Sequence, residues 1–130
     1  MKKKLIYLAG PIQDAKNAGR DWRDQADKAL RNAGYSVYNP STDEQKLLRP
    51  YGLTTAEELH LLKNPETLRR YNEIGNDISE YDLERLKESS AILAVVGTTI
   101  SGGTAAEVTI MRRIFNKPVL IVITPEEIKN

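Results

Sequence analysis

"AILAVVGTTISGGTAAEV", residues 91–108, joins an unbroken apolar run to a glycine pair and then to a helix-like segment. An apolar run without polar alternation is typical of a strand covered on both faces, as in a parallel sheet. A glycine-rich turn from strand to helix allows a ligand to approach the backbone closely. We expect Glu107 in the first turn of the helix, where the helix dipole favours a carboxylate whatever its role. This carboxylate is therefore either a surface residue or a reacting group.

Similar apolar runs occur elsewhere in the chain and alternate with helix-like segments. They are "KLIYLAG" (4–10), "YSVYNP" (35–40) and "KPVLIVI" (117–123). The resulting order is β-α-β, a long polar insert, then α-β-α-β. It predicts one α/β domain over 1–130, a doubly wound (flavodoxin/Rossmann-like) parallel sheet of four or five strands with flanking helices and a helical insert at about 41–75.

The strand ends of this predicted sheet carry turn-forming or polar residues. Ligands of open α/β sheets bind outside the carboxyl ends of the strands. We therefore expect Gly10, Asn39 and Ser101, which follow three of the strands, to lie along one edge and to share one crevice.

The segment before the third strand has helical spacing. Ile78, Leu83 and Leu86 form its predicted apolar face, and Gly75 is a potential break. The insert before it contains arginines and tyrosines that could form a lid over a base or a phosphate, or a solvated flap or oligomer contact: Arg49, Arg69, Arg70, Tyr51 and Tyr71. His60, also in the insert, is expected to be a surface or half-buried helix residue.

Composition excludes several kinds of chemistry. The 130 residues contain no cysteine and one histidine, so disulfides, thiolate zinc sites and multi-histidine metal sites are ruled out. The formal net charge of +1 argues against binding a nucleic-acid polymer through a basic surface. No apolar run approaches the ~20 residues that span a bilayer. Carboxylates, hydroxyls, arginines and backbone amides remain, so we expect no metal and no cofactor, and a cytoplasmic location.

Local spacing leaves the roles of the remaining candidates open. Gly10 and Gly19 bracket a loop before a helix, which suits an anion but is also common in plain connections. Tyr7 is expected to be partly buried in the first strand, where tyrosines usually pack. Asp82 lies in a helix, where a solvated carboxylate is the ordinary interpretation.

Three motifs taken together resemble the nucleoside 2-deoxyribosyltransferases and the related nucleoside 5′-monophosphate N-glycosidases. They are "IYLAGPI" (6–12), "DLERLKESSAILAVV" (82–96), and "SGGTAAEV" (101–108) followed by "NKPVLIVI". The resemblance covers roughly residues 4–40 and 76–123, and the motifs occur in the family's order at compatible spacing.

The resemblance implies a role for each matching residue. Glu107 matches the nucleophile that attacks the anomeric carbon of the sugar, Asp82 the carboxylate that helps protonate the departing base, and Tyr7 the tyrosine that holds the glutamate. The substrate-binding residues that it implies are Gly10, Pro11, Ser101, Gly102, Gly103 and Thr104.

Two positions depart from the pattern of many relatives. Ser90 stands where many have aspartate, which concerns a structural position. Ser101 stands where the free-nucleoside transferases carry aspartate, whereas the monophosphate N-glycosidases carry a serine that meets the 5′-phosphate. Because a missing carboxylate also removes repulsion toward a phosphate, this position favours a nucleotide substrate.

The expected function is cleavage of the N-glycosidic bond of (deoxy)nucleosides or their 5′-monophosphates. The intermediate would be a covalent glycosyl-glutamate, and the sugar would pass to water or to another base. The alternatives are a non-catalytic nucleotide-sensing module on the same fold and a structural or interaction domain. The Glu107 carboxylate favours catalysis, because a phosphate sensor gains nothing from an anion under the ribose. The resemblance also implies a homo-oligomer, a dimer or larger.

Overall fold

A parallel sheet forms the centre of the computed structural model, which describes residues 3–10, 20–96 and 102–123. The strands are β1 (Leu5–Ala9), β2 (Ser36–Tyr38), β3 (Ala91–Val96) and β4 (Val119–Ile123). The helices are α1 (Arg20–Asn32), α2 (Pro40–Leu48), α3 (Ala56–Leu61), α4 (Leu68–Glu88) and α5 (Gly102–Thr109). A 3₁₀ turn, Arg49–Tyr51, follows α2, and a π-helical turn, Ile110–Ile114, follows α5.

The strands lie in the order β2-β1-β3-β4, and every pairing is parallel. The chain moves outward from β1 to β2 and then returns to the other side of β1, so the strand order reverses between β1 and β3. Such a reversal opens a crevice at the carboxyl ends of the two strands. The predicted α/β parallel sheet is confirmed, with four strands in the described residues.

Both faces of the central strands are buried, as the unbroken apolar runs predict. One face packs against α4 and the segment after α5, in a cluster of buried residues comprising Tyr7, Ala9, Tyr38, Leu86, Ile92, Ala94 and Met111. The alternate positions Ile6, Leu8 and Val95 are buried as well. Because successive strand side chains point to opposite faces, these residues need cover from the other side.

Three expectations about the helices are corrected. Glu107 is the sixth residue of α5 and lies in its second turn, because the helix already begins at Gly102, within the glycine pair. Gly75 does not break α4, which continues through it from Leu68 to Glu88. Leu83 is 46% exposed, and Ile74 is the fully buried residue of that face together with Leu86.

The edge strand β4 is the least covered part of the sheet. Leu120 is 62% exposed and Ile121 is 49% exposed, although both are aliphatic. Within the described ranges β4 pairs only with β3. A strand with this composition is more often buried than solvated, so this edge is an apolar surface open to association.

Candidate active site

A cavity of about 600 Å³ opens at the carboxyl ends of β1 and β3. This volume lies within the range of small-molecule pockets. Seven of the nine predicted site residues line it: Tyr7, Gly10, Asp82, Gly102, Gly103, Thr104 and Glu107. Pro11 and Ser101 lie outside the described residues. The predicted common crevice therefore contains Gly10 and the start of α5, and Asn39 follows the neighbouring strand β2.

Helices α4 and α5 contribute much of the cavity lining. In α5, Gly103, Ala106 and Glu107 line it, at the three- and four-residue spacing that places side chains on one side of a helix. In α4, Ser79 and Asp82 line it at the same spacing. Asp82 is thus a cavity residue, and the ordinary interpretation of a solvated helix carboxylate does not apply.

Glu107 is held by the first strand. The Tyr7 hydroxyl donates a hydrogen bond to the Glu107 carboxylate. Tyr7 itself is fully buried beneath the cavity. The core therefore holds its ring in place, and this fixes the position of the hydroxyl. The carboxylate is therefore oriented by a rigid donor, although it stands on a helix one turn past a glycine pair.

Asp82 has a matching partner on the second strand. The Tyr38 hydroxyl donates a hydrogen bond to the Asp82 carboxylate. Tyr38 pairs directly with Tyr7 in the β1–β2 register, and the ring centroids of the two tyrosines are 5.1 Å apart. Two neighbouring tyrosines thus hold two neighbouring carboxylates.

The packing around Gly10 leaves no room for a side chain at this position. A Cβ at this position would lie 2.5 Å from Cζ2 of the Trp22 ring and 3.2 Å from the Val95 carbonyl oxygen. The Arg23 guanidinium donates a hydrogen bond of 2.8 Å to the Gly10 carbonyl. Arg23 is 1% exposed and lies over the Trp22 ring. Only glycine allows this close packing of α1 against the end of β1.

The cavity shifts the protonation of its carboxyl groups. Burial raises the pKa of Glu107 to about 7; the Tyr7 hydrogen bond opposes this, nearby Asp82 adds to it and Arg23 opposes it. Burial also raises the pKa of Asp82, while hydrogen bonds from Glu44 and Tyr38 oppose the rise. Perturbed carboxyl groups that converge in one cavity are typical of functional sites.

The tyrosines and the arginine keep their protons at neutral pH. Burial and the neighbouring carboxylates raise the pKa values of Tyr7 and Tyr38 far above the ordinary value, so both remain hydrogen-bond donors. Burial lowers the pKa of Arg23 to about 10, which still leaves it charged near pH 7.

Sequence reasoning missed three cavity-side residues: Tyr38, Glu44 and Arg23. Tyr38 could have been found from the pairing of the first two strands, since "YSVY" aligns a tyrosine beside Tyr7. Glu44 stands one helical turn after Pro40, and both line the cavity. Arg23 gave no signal, because nothing in the spacing of α1 marks an arginine as buried.

The arginines and tyrosines of the insert do not line this cavity. The Tyr51 hydroxyl donates to Asp77, and Arg70 donates to the Tyr51 carbonyl, so Tyr51 is bound to two residues of α4 at the surface. His60 is exposed on α3, as expected. The part of the insert that reaches the cavity is α2.

No group of three or more histidine, aspartate or glutamate side chains in the described ranges is arranged to hold a metal ion. In the same part of the chain, none of the helices combines the length and the apolar character needed to cross a bilayer.

The fold is shared with solved enzymes. The chain is similar to the 2-deoxyribosyltransferase of the psychrotolerant bacterium Bacillus psychrosaccharolyticus, with a TM-score of 0.63, 24% identity, and coverage of 97% of this chain and 77% of that one. It is also similar to the 2-deoxyribosyltransferase of Leishmania mexicana, with a TM-score of 0.61, 17% identity, and coverage of 93% and 65%, respectively. The chain therefore has the fold of the 2-deoxyribosyltransferases and spans just under two thirds of the Leishmania protein. No protein-family model and no curated protein matches the sequence.

Proposed function

We propose that this protein cleaves the N-glycosidic bond of (deoxy)nucleosides or their 5′-monophosphates and passes the sugar to water or to another base. The observation that carries the proposal is the Glu107 carboxylate, held by Tyr7 in a cavity that it shares with Asp82. The shared fold of the 2-deoxyribosyltransferases supports the same chemistry.

The first half of the reaction breaks the bond between base and sugar. Ionised Glu107 attacks the anomeric carbon as positive charge develops there, and a covalent glycosyl ester forms. The electron pair of the broken bond stays on the base nitrogen. Asp82, which lines the same cavity from α4, supplies a proton to that base. General acid catalysis of this kind contributes typically 10²- to 10⁴-fold.

The second half releases the sugar. Water, or the nitrogen of an incoming base, attacks the anomeric carbon and displaces Glu107 as a carboxylate. The proton lost by the attacking group returns to the carboxyl group of Asp82. Two displacements at one carbon preserve its configuration, so the product keeps the anomeric configuration of the substrate.

A finer proposal is that the preferred substrate carries a 5′-phosphate. Its support is the start of α5, where Gly102 and Gly103 line the cavity and have open space beside them. The N–H groups of a first helical turn lack intrahelical partners and suit an anion. Ser101, which directly precedes them in the sequence, adds a hydroxyl donor. Ser101→Asp should therefore reduce kcat/KM for a monophosphate at least about tenfold, the equivalent of one charge-assisted hydrogen bond. It should reduce kcat/KM for the matched nucleoside less.

The experiment is a panel of nucleosides and 5′-monophosphates, scored for free base with and without an acceptor base. Glu107→Gln keeps the size of the side chain but cannot form the ester, so base release should fall by orders of magnitude. Glu57→Gln, an exposed glutamate on α3, is the matched control and should behave as wild type. Mass spectrometry of the acid-quenched wild type should show the protein plus one sugar.

Three results would contradict parts of the proposal. Wild-type rates in folded Glu107→Gln would rule out covalent catalysis through this residue. Binding of nucleotides without any base release would support the sensing module instead. A clear preference for unphosphorylated substrates would remove the 5′-phosphate claim alone.

A further inference from the structure

The mechanism above leaves one carboxyl group of the cavity unused. Glu44 lies on α2, in the segment between β2 and α4, and lines the cavity with Pro40 one turn before it. The start of α2 determines which of its residues face the cavity. Asn39 caps the helix by accepting a hydrogen bond of 3.2 Å from the Ser41 amide, and Pro40 occupies its first turn. A helix that begins at the carboxyl end of a strand and is fixed in this way turns its fifth residue, Glu44, toward the cavity.

The carboxyl groups of Glu44 and Asp82 both line the cavity and interact closely enough to share a hydrogen bond. Two carboxyl groups can form such a bond only if one of them carries a proton, because two carboxylates have no hydrogen to share. The α2 and α4 helices pack together, so this contact is part of the cavity wall. The pair therefore holds one proton more than two free surface acids would hold at neutral pH.

The surroundings determine which member of the pair carries the proton. The Tyr38 hydroxyl donates to Asp82 and stabilises its ionised form. Burial, the hydrogen bond to Asp82 and the negative charge of Asp82 all raise the pKa of Glu44; Glu107 adds to the rise and Arg23 opposes it. In the empty cavity the proton thus resides on Glu44, which donates it to Asp82.

Among the described residues, the ionisable groups that face Glu44 come from four elements. They are Asp82 from α4, Tyr38 from β2, Glu107 from α5 and Arg23 from α1. Of these, Arg23 is the cation. Tyr38 stays protonated and neutral, so the negative charge near Glu44 comes from Asp82 and Glu107, and both favour retention of the Glu44 proton.

We infer that Glu44 and Asp82 share one proton and that this shared proton is the one delivered to the departing base. The inference rests on the proposed function and identifies Glu44 as a second acid–base residue of the same site. When the base leaves, the carbon–nitrogen bond breaks, its electron pair stays on the base and the shared proton moves to it. Glu44 and Asp82 are then both ionised. The proton released by the attacking water or base in the second half restores the pair.

A shared proton has a consequence that a lone aspartate does not have. Burial raises the pKa of Asp82 and the hydrogen bond from Tyr38 opposes that rise, so Asp82 alone would hold its proton less tightly than the pair does. The pair retains its proton to higher pH, because both members would otherwise be charged side by side. The pH above which kcat/KM falls should therefore be set by the loss of the proton that Glu44 and Asp82 share.

The test compares Glu44→Gln with the control Glu57→Gln on two substrates. One is a purine nucleoside, or its 5′-monophosphate, that the wild type cleaves. The other is its N7-methyl derivative, whose base already carries a positive charge and leaves without a proton. Glu44→Gln should lower kcat/KM for the first substrate about 100-fold at pH 7, within the usual range of general acid catalysis. It should lower kcat/KM for the second by less than about threefold, and move the basic limb of the first profile to lower pH. Equal losses on both substrates, or an unmoved basic limb, would overturn the acid role.

A second measurement does not depend on activity. In ¹³C NMR of labelled wild type, one carboxyl carbon of the pair should titrate above pH 7, and this signal should be lost in Glu44→Gln. Titration of both carboxyl groups below neutrality would refute the shared proton. If the wild type releases no base from any substrate, the proposed function fails and the acid role fails with it, while the NMR titration still decides whether the proton is shared. Circular dichroism establishes that each variant is folded.

Discussion

Removing the Tyr7 hydroxyl should change the pH at which the protein works more than its maximal rate. This hydroxyl donates to the Glu107 carboxylate and lowers the pKa of that carboxyl group, which burial raises to about 7. Tyr7→Phe removes the donor and keeps the ring in the core. A hydrogen bond to a charged group is worth about 1.5–3 kcal/mol. At 1.36 kcal/mol per pKa unit, the pKa of Glu107 should rise by roughly one to two units.

In the proposed mechanism the nucleophile is the ionised form of Glu107, so the fraction of Glu107 ionised at pH 7 determines the expected loss of rate. With a pKa of about 7, close to half of Glu107 is ionised at pH 7 in the wild type. After a rise of one to two units, roughly 1–10% remains ionised. The rate at pH 7 should therefore fall about 5- to 50-fold and should recover most of the wild-type value near pH 9, provided that the basic limb lies higher.

The assay is the pH dependence of kcat/KM for base release, whose acidic limb reports ionisation in the free enzyme. Tyr35→Phe, at an exposed tyrosine beside β2, is the control and should leave the profile unchanged. A Tyr7→Phe variant with a uniformly lower rate and an unmoved acidic limb would refute the reasoning, because the hydroxyl would then not control the ionisation of Glu107.

Three further changes test stability and assembly. Glu107→Gln should make the folded protein up to about 3 kcal/mol more stable than wild type at pH 8 and equally stable near pH 4.5. Folding raises the pKa of Glu107 from 4.5 to about 7, so the folded wild type binds more protons than the unfolded chain between these pH values. Its free energy of unfolding therefore falls as the pH rises. Urea unfolding at the two pH values measures this, and a pH-independent difference would contradict it. Gly10→Ala should cost about 1–3 kcal/mol, since its Cβ would meet the Trp22 ring; an unchanged urea midpoint would show that the ring moves aside freely. If the protein forms homo-oligomers through the exposed edge strand, Leu120→Lys should reduce the mass found by light scattering, and the idea fails if wild type is monomeric or the variant assembles equally.

The fold could be predicted because its signals are local. Each strand is a short apolar run, the first three are followed by a glycine or an Asn-Pro pair, and β3 begins and ends at the predicted residues, 91 and 96. Errors arose where the phase of a helix matters. Leu83 satisfies the apolar spacing of α4, yet it lines the open cavity beside Asp82 and is therefore 46% exposed. Spacing gives the face of a helix but not what that face meets.

The site was only partly predictable for the same reason. Tyr7, Asp82 and Glu107 were chosen from motifs, and they line one cavity. Glu44 was missed because its role depends on a contact between α2 and α4, in which it meets Asp82, a residue far from it along the chain. A local pattern that ends at Asn39-Pro40 cannot show which helix will pack against the next one.

The two carboxyl groups that we propose react, Glu107 and Asp82, share the same kind of first neighbour, a tyrosine hydroxyl, and differ in the second. The β1–β2 register pairs Tyr7 with Tyr38, so each carboxylate receives one tyrosine hydroxyl from adjacent strands. Glu107 also interacts with the positive charge of Arg23, which lowers the pKa of Glu107 and favours its ionised form. The extra neighbour of Asp82 is the carboxyl group of Glu44, which brings a proton in place of a positive charge. In the proposed mechanism, the cation beside Glu107 and the protonated acid beside Asp82 separate the nucleophile from the proton donor, although both are carboxyl groups bonded to a tyrosine. The proposed difference in role between Glu107 and Asp82 thus depends on Arg23 and Glu44 as much as on the residues that would touch the sugar and the base.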